Sequence, residues 1–181
     1  MSDLIRQYLI DLFQGVPIAV YLILLLALFI GVIIILSIKG FREGRRIIAG
    51  LLLSIYILLV YCSTVFYRPG PSEINEYGFR PFGNYKAILD GRTDLIPESV
   101  MNVLVFIPIG VLAKMSFSKL GIKSVLIIGM CLSLSIEVMQ FEFDRGCSDV
   151  GDVINNTVGC MFGYGIYKMI EWIISVNRQH Q

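Results

Sequence analysis

The sequence predicts an all-α protein, a multi-pass bundle of about five transmembrane helices. Of its 181 residues, 56% are hydrophobic and only 16% are charged, whereas a soluble domain has about 25% charged residues. The apolar residues also cluster in stretches close to the ~20 residues that a helix needs to cross a ~30 Å hydrocarbon layer. Helices are favoured because they satisfy their backbone amides internally, and the ~10-residue alternating segments of a transmembrane β-barrel are absent.

Five stretches qualify as spans, and a short amphipathic segment precedes them. The first span should remain in the mature protein, because its apolar run is too long for a signal peptide and its basic residues follow it. Residues 3–14 place polar and apolar side chains on different faces, which predicts an interfacial helix or a frayed terminus. The predicted spans are residues 16–38, 47–67, 100–117, 124–141 and 153–174.

The distribution of charge predicts the orientation. Lysine and arginine near membrane ends stay cytoplasmic, and they are concentrated in the links 39–46 and 114–123. The N-terminus is therefore predicted outside and the C-terminus inside. The 31-residue loop 68–98 is then extracytoplasmic, and its aromatic residues favour a loop folded against the membrane surface. A net charge of +1 offers no basic face for nucleic acid.

Polar residues interrupt the last three spans near their predicted outer ends. Glu137 and Gln140 are spaced for one helical face, as are Asp152, Asn156, Gly159 and Gly163. The two glycines form a GxxxG pattern, which predicts close packing against another helix. An ionisable group within a membrane tends to be paired or functional, and Arg68 and Arg145 are the available cations. We predict an outward-facing polar pocket. Its candidate ligand-binding residues are Arg68, Asn102, Glu137, Gln140, Arg145, Asp152 and Asn156.

Structural roles compete with this interpretation. The amide side chains are equally compatible with hydrogen bonding between helices, and Glu137 with Arg145 is compatible with a structural ion pair. Asp149 is expected to cap the last helix. No metal or cofactor is predicted. The only histidine, His180, lies in the tail, so a histidine-based catalytic dyad is excluded.

The sequence resembles the VanZ-like family of membrane proteins over about residues 68–165, leaving residues 1–38 as an additional N-terminal part of a single membrane domain. The likeness rests on "PFGNY" at 81–85, "NVLVFIPIG" at 102–110 and "EVMQFEFDRGCSDVGDVINNTVG" at 137–159. The residues that match the family pattern are Asn102, Phe106, Pro108, Gly110, Glu137, Gln140, Arg145, Asp152, Asn156 and Gly159.

This resemblance implies a bacterial plasma-membrane protein associated with resistance to glycopeptides, teicoplanin in particular. We expect a binding protein rather than an enzyme. Its partners would be membrane lipids and either a lipid-linked cell-wall precursor or a lipoglycopeptide. The alternative is an intramembrane enzyme that acts on lipid-linked envelope substrates, with Glu137 and Asp152 as acid and base. A transporter is disfavoured, because the cytoplasmic halves of these helices lack an ionisable chain.

Overall fold

The structure is a computed structural model that describes residues 42–66, 82–143 and 149–179. The predicted first span and the interfacial segment before it lie outside these residues. So do Arg68 and Arg145, two of the candidate site residues.

The described residues form helices and no β-strand, which confirms the all-α prediction. Helix α1 continues into a π-helical turn, Cys62–Phe66, and a short 3-10 turn, Thr93–Leu95, precedes α3. The α-helices are α1 (Arg42–Tyr61), α2 (Gly83–Leu89), α3 (Ile96–Ser116), α4 (Ile122–Glu142) and α5 (Val150–Gln179).

Three helical segments are long and apolar enough to cross a membrane: Gly44–Val65, Ile96–Ser116 and Ile122–Glu142. They coincide with the second, third and fourth predicted spans. Helix α5 is longer, at 30 residues, but its polar and small residues make it too polar to meet the same test. In the first half of α5, Asp152, Asn156, Gly159 and Gly163 are buried in the bundle rather than turned outwards. That α5 crosses the membrane stays a prediction.

The helix boundaries differ from the predicted spans in ways that the local sequence explains. Helix α3 begins at Ile96 rather than at residue 100, because proline at position 97 fits the first helical turn. The loop predicted at 68–98 therefore ends earlier, before Ile96, and its described part contains α2. Helix α5 begins three residues early, at Val150, directly after the capping residue Asp149.

Glycines bring α3 and α5 into backbone contact. A β-carbon on Gly159 would lie 2.2 Å from the carbonyl oxygen of Val103, and one on Gly163 would lie 2.0 Å from that of Ile107. Residue numbers rise together along the two helices, so they run parallel. Small residues let membrane helices approach this closely. The predicted packing role of both glycines is confirmed.

The bundle has a basic end and an acidic end. At the basic end the Arg46 side chain donates a hydrogen bond to Ser118. Lys114 is buried there, and its ammonium group donates to the carbonyl oxygens of Ser118 at 2.5 Å and Leu120 at 2.8 Å. Lys114 thus holds the turn between α3 and α4. The acidic end contains the C-terminus of α1, helix α2 and the start of α5.

The predicted orientation places the acidic end outside the cell. Asp90 and Lys119 are exposed at opposite ends of the bundle. In a Cys147→Ser background, we expect Asp90→Cys to react with a membrane-impermeant maleimide in intact cells. Lys119→Cys, made in the same Cys147→Ser protein, should react only after permeabilisation. The Cys147→Ser protein without an added cysteine measures the labelling that is not due to these positions. The reverse pattern would show that the orientation is wrong.

Candidate functional site

Six polar side chains are buried together where α4 and α5 meet at the acidic end. None is more than 5% exposed, although the helices around them present apolar faces. Burying a polar group costs free energy unless it is hydrogen-bonded, so their partners decide what the site can do. We call Ser133, Glu137, Gln140, Asp149, Asp152 and Asn156 the buried polar cluster.

Asp149 connects three elements of the fold. Its Oδ1 accepts a hydrogen bond from the backbone N–H of Gly151 at 2.8 Å, which is the N-cap interaction predicted for it. Its Oδ2 accepts from the backbone N–H of Asn84 on α2, also at 2.8 Å. Its own N–H donates to Oε2 of Glu137 at 3.0 Å. The start of α5 is thereby attached to both α2 and α4.

The N-terminus of α5 also stabilises the negative charges of the carboxylates in the cluster. The N-terminus of a helix carries a partial positive charge that stabilises nearby carboxylates. Asp149 caps α5, and Asp152 lies in its first turn. Glu137 accepts a hydrogen bond from the residue that caps the helix. The helix terminus therefore offsets part of the cost of burying three acidic side chains.

Gln140 connects α4 to the π-helical end of α1. Its Nε2 donates a hydrogen bond to the carbonyl oxygen of Thr64 at 3.0 Å. Carbonyls in the last turn of a helix lack intrahelical partners. A π-helical turn further disturbs the regular backbone hydrogen bonds of an α-helix. The Gln140 Oε1 atom is buried and accepts no hydrogen bond from the described residues.

Asn156 forms the deepest layer of the cluster. Its Nδ2 donates to the hydroxyl oxygen of Ser133 at 2.7 Å, while its Oδ1 has no partner among the described residues. Ser133 and Gln140 are seven residues apart on α4, which corresponds to about 10 Å along the axis. The cluster is therefore a column of three layers: Gln140 outermost, Glu137 with Asp149 between, and Asn156 innermost.

Comparison with known proteins identifies the family. The model of the VanZ/LLP1 family matches residues 51–171. The chain belongs to the VanZ/LLP1 family. It is 33% identical over 97 residues to Protein VanZ of Enterococcus faecium, an alignment that covers 54% of this chain and 53% of that protein. The chain thus matches about half the length of this relative. No solved structure matches it.

The VanZ/LLP1 match includes four predicted site residues that the structure brings together: Glu137, Gln140, Asp152 and Asn156. Asn102 is different. It is half-buried on α3, at nearly the depth of Asn156, but its amide makes no hydrogen bond within the described part of the chain. Its membership of the site stays a prediction, as does that of the two arginines outside the described residues.

Helix α2 contributes residues to this VanZ/LLP1 site that sequence reasoning did not assign. The Tyr85 hydroxyl donates to Oδ1 of Asn155 at 2.6 Å, and its ring packs on Gly151. Burial, followed by the carboxylates of Asp152 and Asp149, raises the pKa of Tyr85. Its hydroxyl therefore stays protonated and remains a donor. The only signal was the "PFGNY" block, which gave the resemblance but no role.

No group of three histidine, cysteine or acidic side chains within residues 42–66, 82–143 and 149–179 is arranged to hold a metal ion. The chemistry that the cluster offers is hydrogen bonding by buried acceptors, together with the charge of its carboxylates.

Proposed function

We propose that this membrane protein lowers susceptibility to glycopeptide antibiotics of the teicoplanin type, and that it acts in the bacterial plasma membrane by binding an amphiphile. The polar head would lie in the buried polar cluster. The bound molecule would be an envelope lipid, such as a lipid-linked cell-wall precursor, or a lipoglycopeptide. Membership of the VanZ/LLP1 family supports the link to resistance.

The observation that carries the proposal is the convergence of buried polar side chains from different elements at one end of the bundle. Structural hydrogen bonding alone does not require so many, since buried acceptor atoms on Gln140 and Asn156 remain without a partner among the described residues. Apolar residues lie beside them. Val138 and Phe141 on α4 are each 54% exposed, so an acyl chain has a surface to follow next to the polar head.

The first test is the isosteric variant Glu137→Gln. Glutamine keeps an oxygen that can accept the Asp149 N–H but removes the negative charge. We expect resistance to fall to the level of a strain without the gene, while the amount of protein in the membrane stays the same. The measurements are the inhibitory concentration of teicoplanin and an immunoblot of the membrane fraction.

Glu142→Gln is the matched control, because Glu142 is exposed on the same helix, five residues further along. It should leave both readouts unchanged. If Glu137→Gln retained full resistance, the carboxylate would have no function in binding. If the variant were lost from the membrane, the carboxylate would have a structural role.

One arrangement favours the enzymatic alternative as a second candidate. Glu137 and Asp152 are both buried, one on each of two facing helices, and carboxylates in unequal surroundings can divide acid and base roles. Incubation of the purified protein with labelled lipid-linked precursor decides between the two. A changed product that disappears with Asp152→Asn establishes an enzyme, and recovery of intact precursor rejects one.

A further inference from the structure

We propose that the basic end of the bundle binds the phosphate head group of an anionic phospholipid. In the predicted orientation this lipid belongs to the inner leaflet. The contact surface consists of three exposed cations: Arg46 near the start of α1, Lys119 in the turn between α3 and α4, and Lys123 in the first turn of α4. We call them the basic surface. They lie at the opposite end of the bundle from the buried polar cluster, so the inference does not depend on the proposed function.

The fold gathers these cations from distant parts of the chain. The Arg46 side chain donates a hydrogen bond to the hydroxyl of Ser118, 72 positions further along, and Lys119 is the next residue. The buried Lys114 fixes the same turn from inside, because it donates to the carbonyl oxygens on either side of Lys119, those of Ser118 and Leu120. Basic residues that only set the orientation need to be on the cytoplasmic side, whereas Arg46 and Lys119 are held next to each other by tertiary contacts.

No described carboxylate neutralises the basic surface. Within the described part of the chain, none of its three side chains forms an ion pair. Glu171 is the one carboxylate that the structure describes at this end, and its Oε2 lies 2.6 Å from Nζ of Lys168. Arg46 donates to Ser118 through a single nitrogen, Nη2, so the other N–H groups of its guanidinium are available to a ligand. An anion bound here would offset the mutual repulsion of the three cations.

The basic surface lies where the head groups of a membrane are expected. The candidate membrane span that includes α1 begins at Gly44, so the Arg46 guanidinium is at the boundary between the apolar layer and water. Ile47 and Leu51, one turn apart on α1, are 65% and 61% exposed. They offer the acyl chains of a lipid an apolar surface directly beyond the basic surface. A soluble phosphate would leave that apolar surface unused, which favours a phospholipid as the ligand.

The charge of the basic surface also selects among phospholipids. An arginine recognises phosphate oxygens with paired N–H donors, and every phospholipid has a phosphate. A zwitterionic head group, however, carries its own cation, which would lie close to Lys119 and Lys123. An anionic head group, such as that of phosphatidylglycerol, has no such cation. Because like charges repel, the anionic lipid is the better ligand.

The experiment uses the full-length protein in nanodiscs of phosphatidylcholine that contain a small fraction of photoreactive phosphatidylglycerol, with the reactive group near the head. Mass spectrometry locates the crosslinked peptides. We expect crosslinks at the start of α1 and in residues 114–123. Unlabelled phosphatidylglycerol should suppress them, phosphatidylethanolamine should do so much less well, and soluble glycerol phosphate should have no effect.

Arg46→Gln tests the basic surface directly. Labelling of residues 114–123 should fall about fivefold, which corresponds to the ~1 kcal/mol that a basic residue near a membrane surface contributes to the attraction of anionic lipid. Lys86→Gln is the matched control, because Lys86 is an exposed lysine on α2 at the acidic end and its loss changes the net charge equally. It should leave the labelling of the basic end unchanged.

A second variant covers the case in which Arg46→Gln does not fold. The double variant Lys119→Gln with Lys123→Gln removes two charges, and neither lysine side chain makes a hydrogen bond within the described residues. Labelling at the start of α1 should fall about 25-fold, the product of two fivefold losses.

Three results would overturn the inference. The first is labelling of the basic end that is as strong in the neutralised proteins as in Lys86→Gln. The second is competition by soluble glycerol phosphate as strong as that by phosphatidylglycerol, which would assign the surface to a soluble anion. The third is crosslinking spread evenly around the helices, as expected for lipids without a preferred site. The teicoplanin measurements on Glu137→Gln test the other end of the bundle, so failure of one proposal leaves the other standing.

Discussion

Gly163→Ala is expected to cost at least about 3 kcal/mol of folding free energy, which is the upper part of the usual range for overpacking. The added methyl group would lie 2.0 Å from the carbonyl oxygen of Ile107 and 2.9 Å from the backbone nitrogen of Val111. Both atoms belong to the backbone of α3, so no rotamer change relieves the clash. Alanine is the better helix former by ~1 kcal/mol, and the clash must outweigh this gain.

Gly165→Ala is the matched control, because a β-carbon at that position of α5 meets no atom within 4 Å. It should leave stability unchanged or raise it slightly. Thermal unfolding of the purified proteins in detergent measures both. Equal melting temperatures for the two variants would mean that α3 and α5 do not pack through these glycines.

The glycine pair illustrates what the sequence predicted of the fold. The spacing of Asp152, Asn156, Gly159 and Gly163 placed polar and small residues on one helical face, and the structure buries that face. The identity of the partner was not predictable. The atoms closest to Gly159 and Gly163 are mainly backbone atoms of α3, and every residue has a backbone, so no side-chain pattern marks the contact.

The same reason explains why the sequence did not indicate Thr64 and Asn84 as partners in the site. Gln140 bonds to the backbone carbonyl of Thr64, and Asp149 to the backbone N–H of Asn84. Neither partner has a side-chain signal. Helix α2 has seven residues, too few for a convincing helical period, and it lies within a stretch rich in proline and glycine. Its position over α5 comes from tertiary contacts.

Asn102 shows the limit of predicting a site by depth. Counting residues along a helix gives the depth of a side chain at 1.5 Å per residue, but not the direction in which it points. Glu137 and Asp152 each had a polar or small residue one turn away that defined a face. One turn further into its predicted span, Asn102 had only the apolar Val105 and Phe106. The prediction of its depth was therefore better founded than the prediction of its contacts.

Asp149→Ala is expected to destabilise the acidic end by about 2–4 kcal/mol. The estimate combines the loss of an N-cap, ~1 kcal/mol, with the cost of leaving the partly buried N–H of Asn84 unsatisfied, ~1–3 kcal/mol. The affected donors are the backbone N–H groups of Gly151 and Asn84. Both the start of α5 and the attachment of α2 should loosen.

Asp149→Asn separates the two effects. Asparagine caps helices as well as aspartate does, so its oxygen can retain the bond to Gly151. The atom facing Asn84 then becomes an N–H group, which cannot accept from another N–H. The expected order of stability is wild type, then Asp149→Asn, then Asp149→Ala, with Glu142→Ala on the exposed surface of α4 as a control of wild-type stability.

Limited proteolysis distinguishes local from global loosening. In Asp149→Asn, cleavage should increase within residues 82–95, which the bond to Asn84 holds against α5, while the melting temperature falls less than in Asp149→Ala. If Asp149→Asn were cleaved no faster than wild type, the Asn84 contact would not secure α2. Helix α2 would then be held over the site by the contacts of Tyr85 with Asn155 and Gly151 instead.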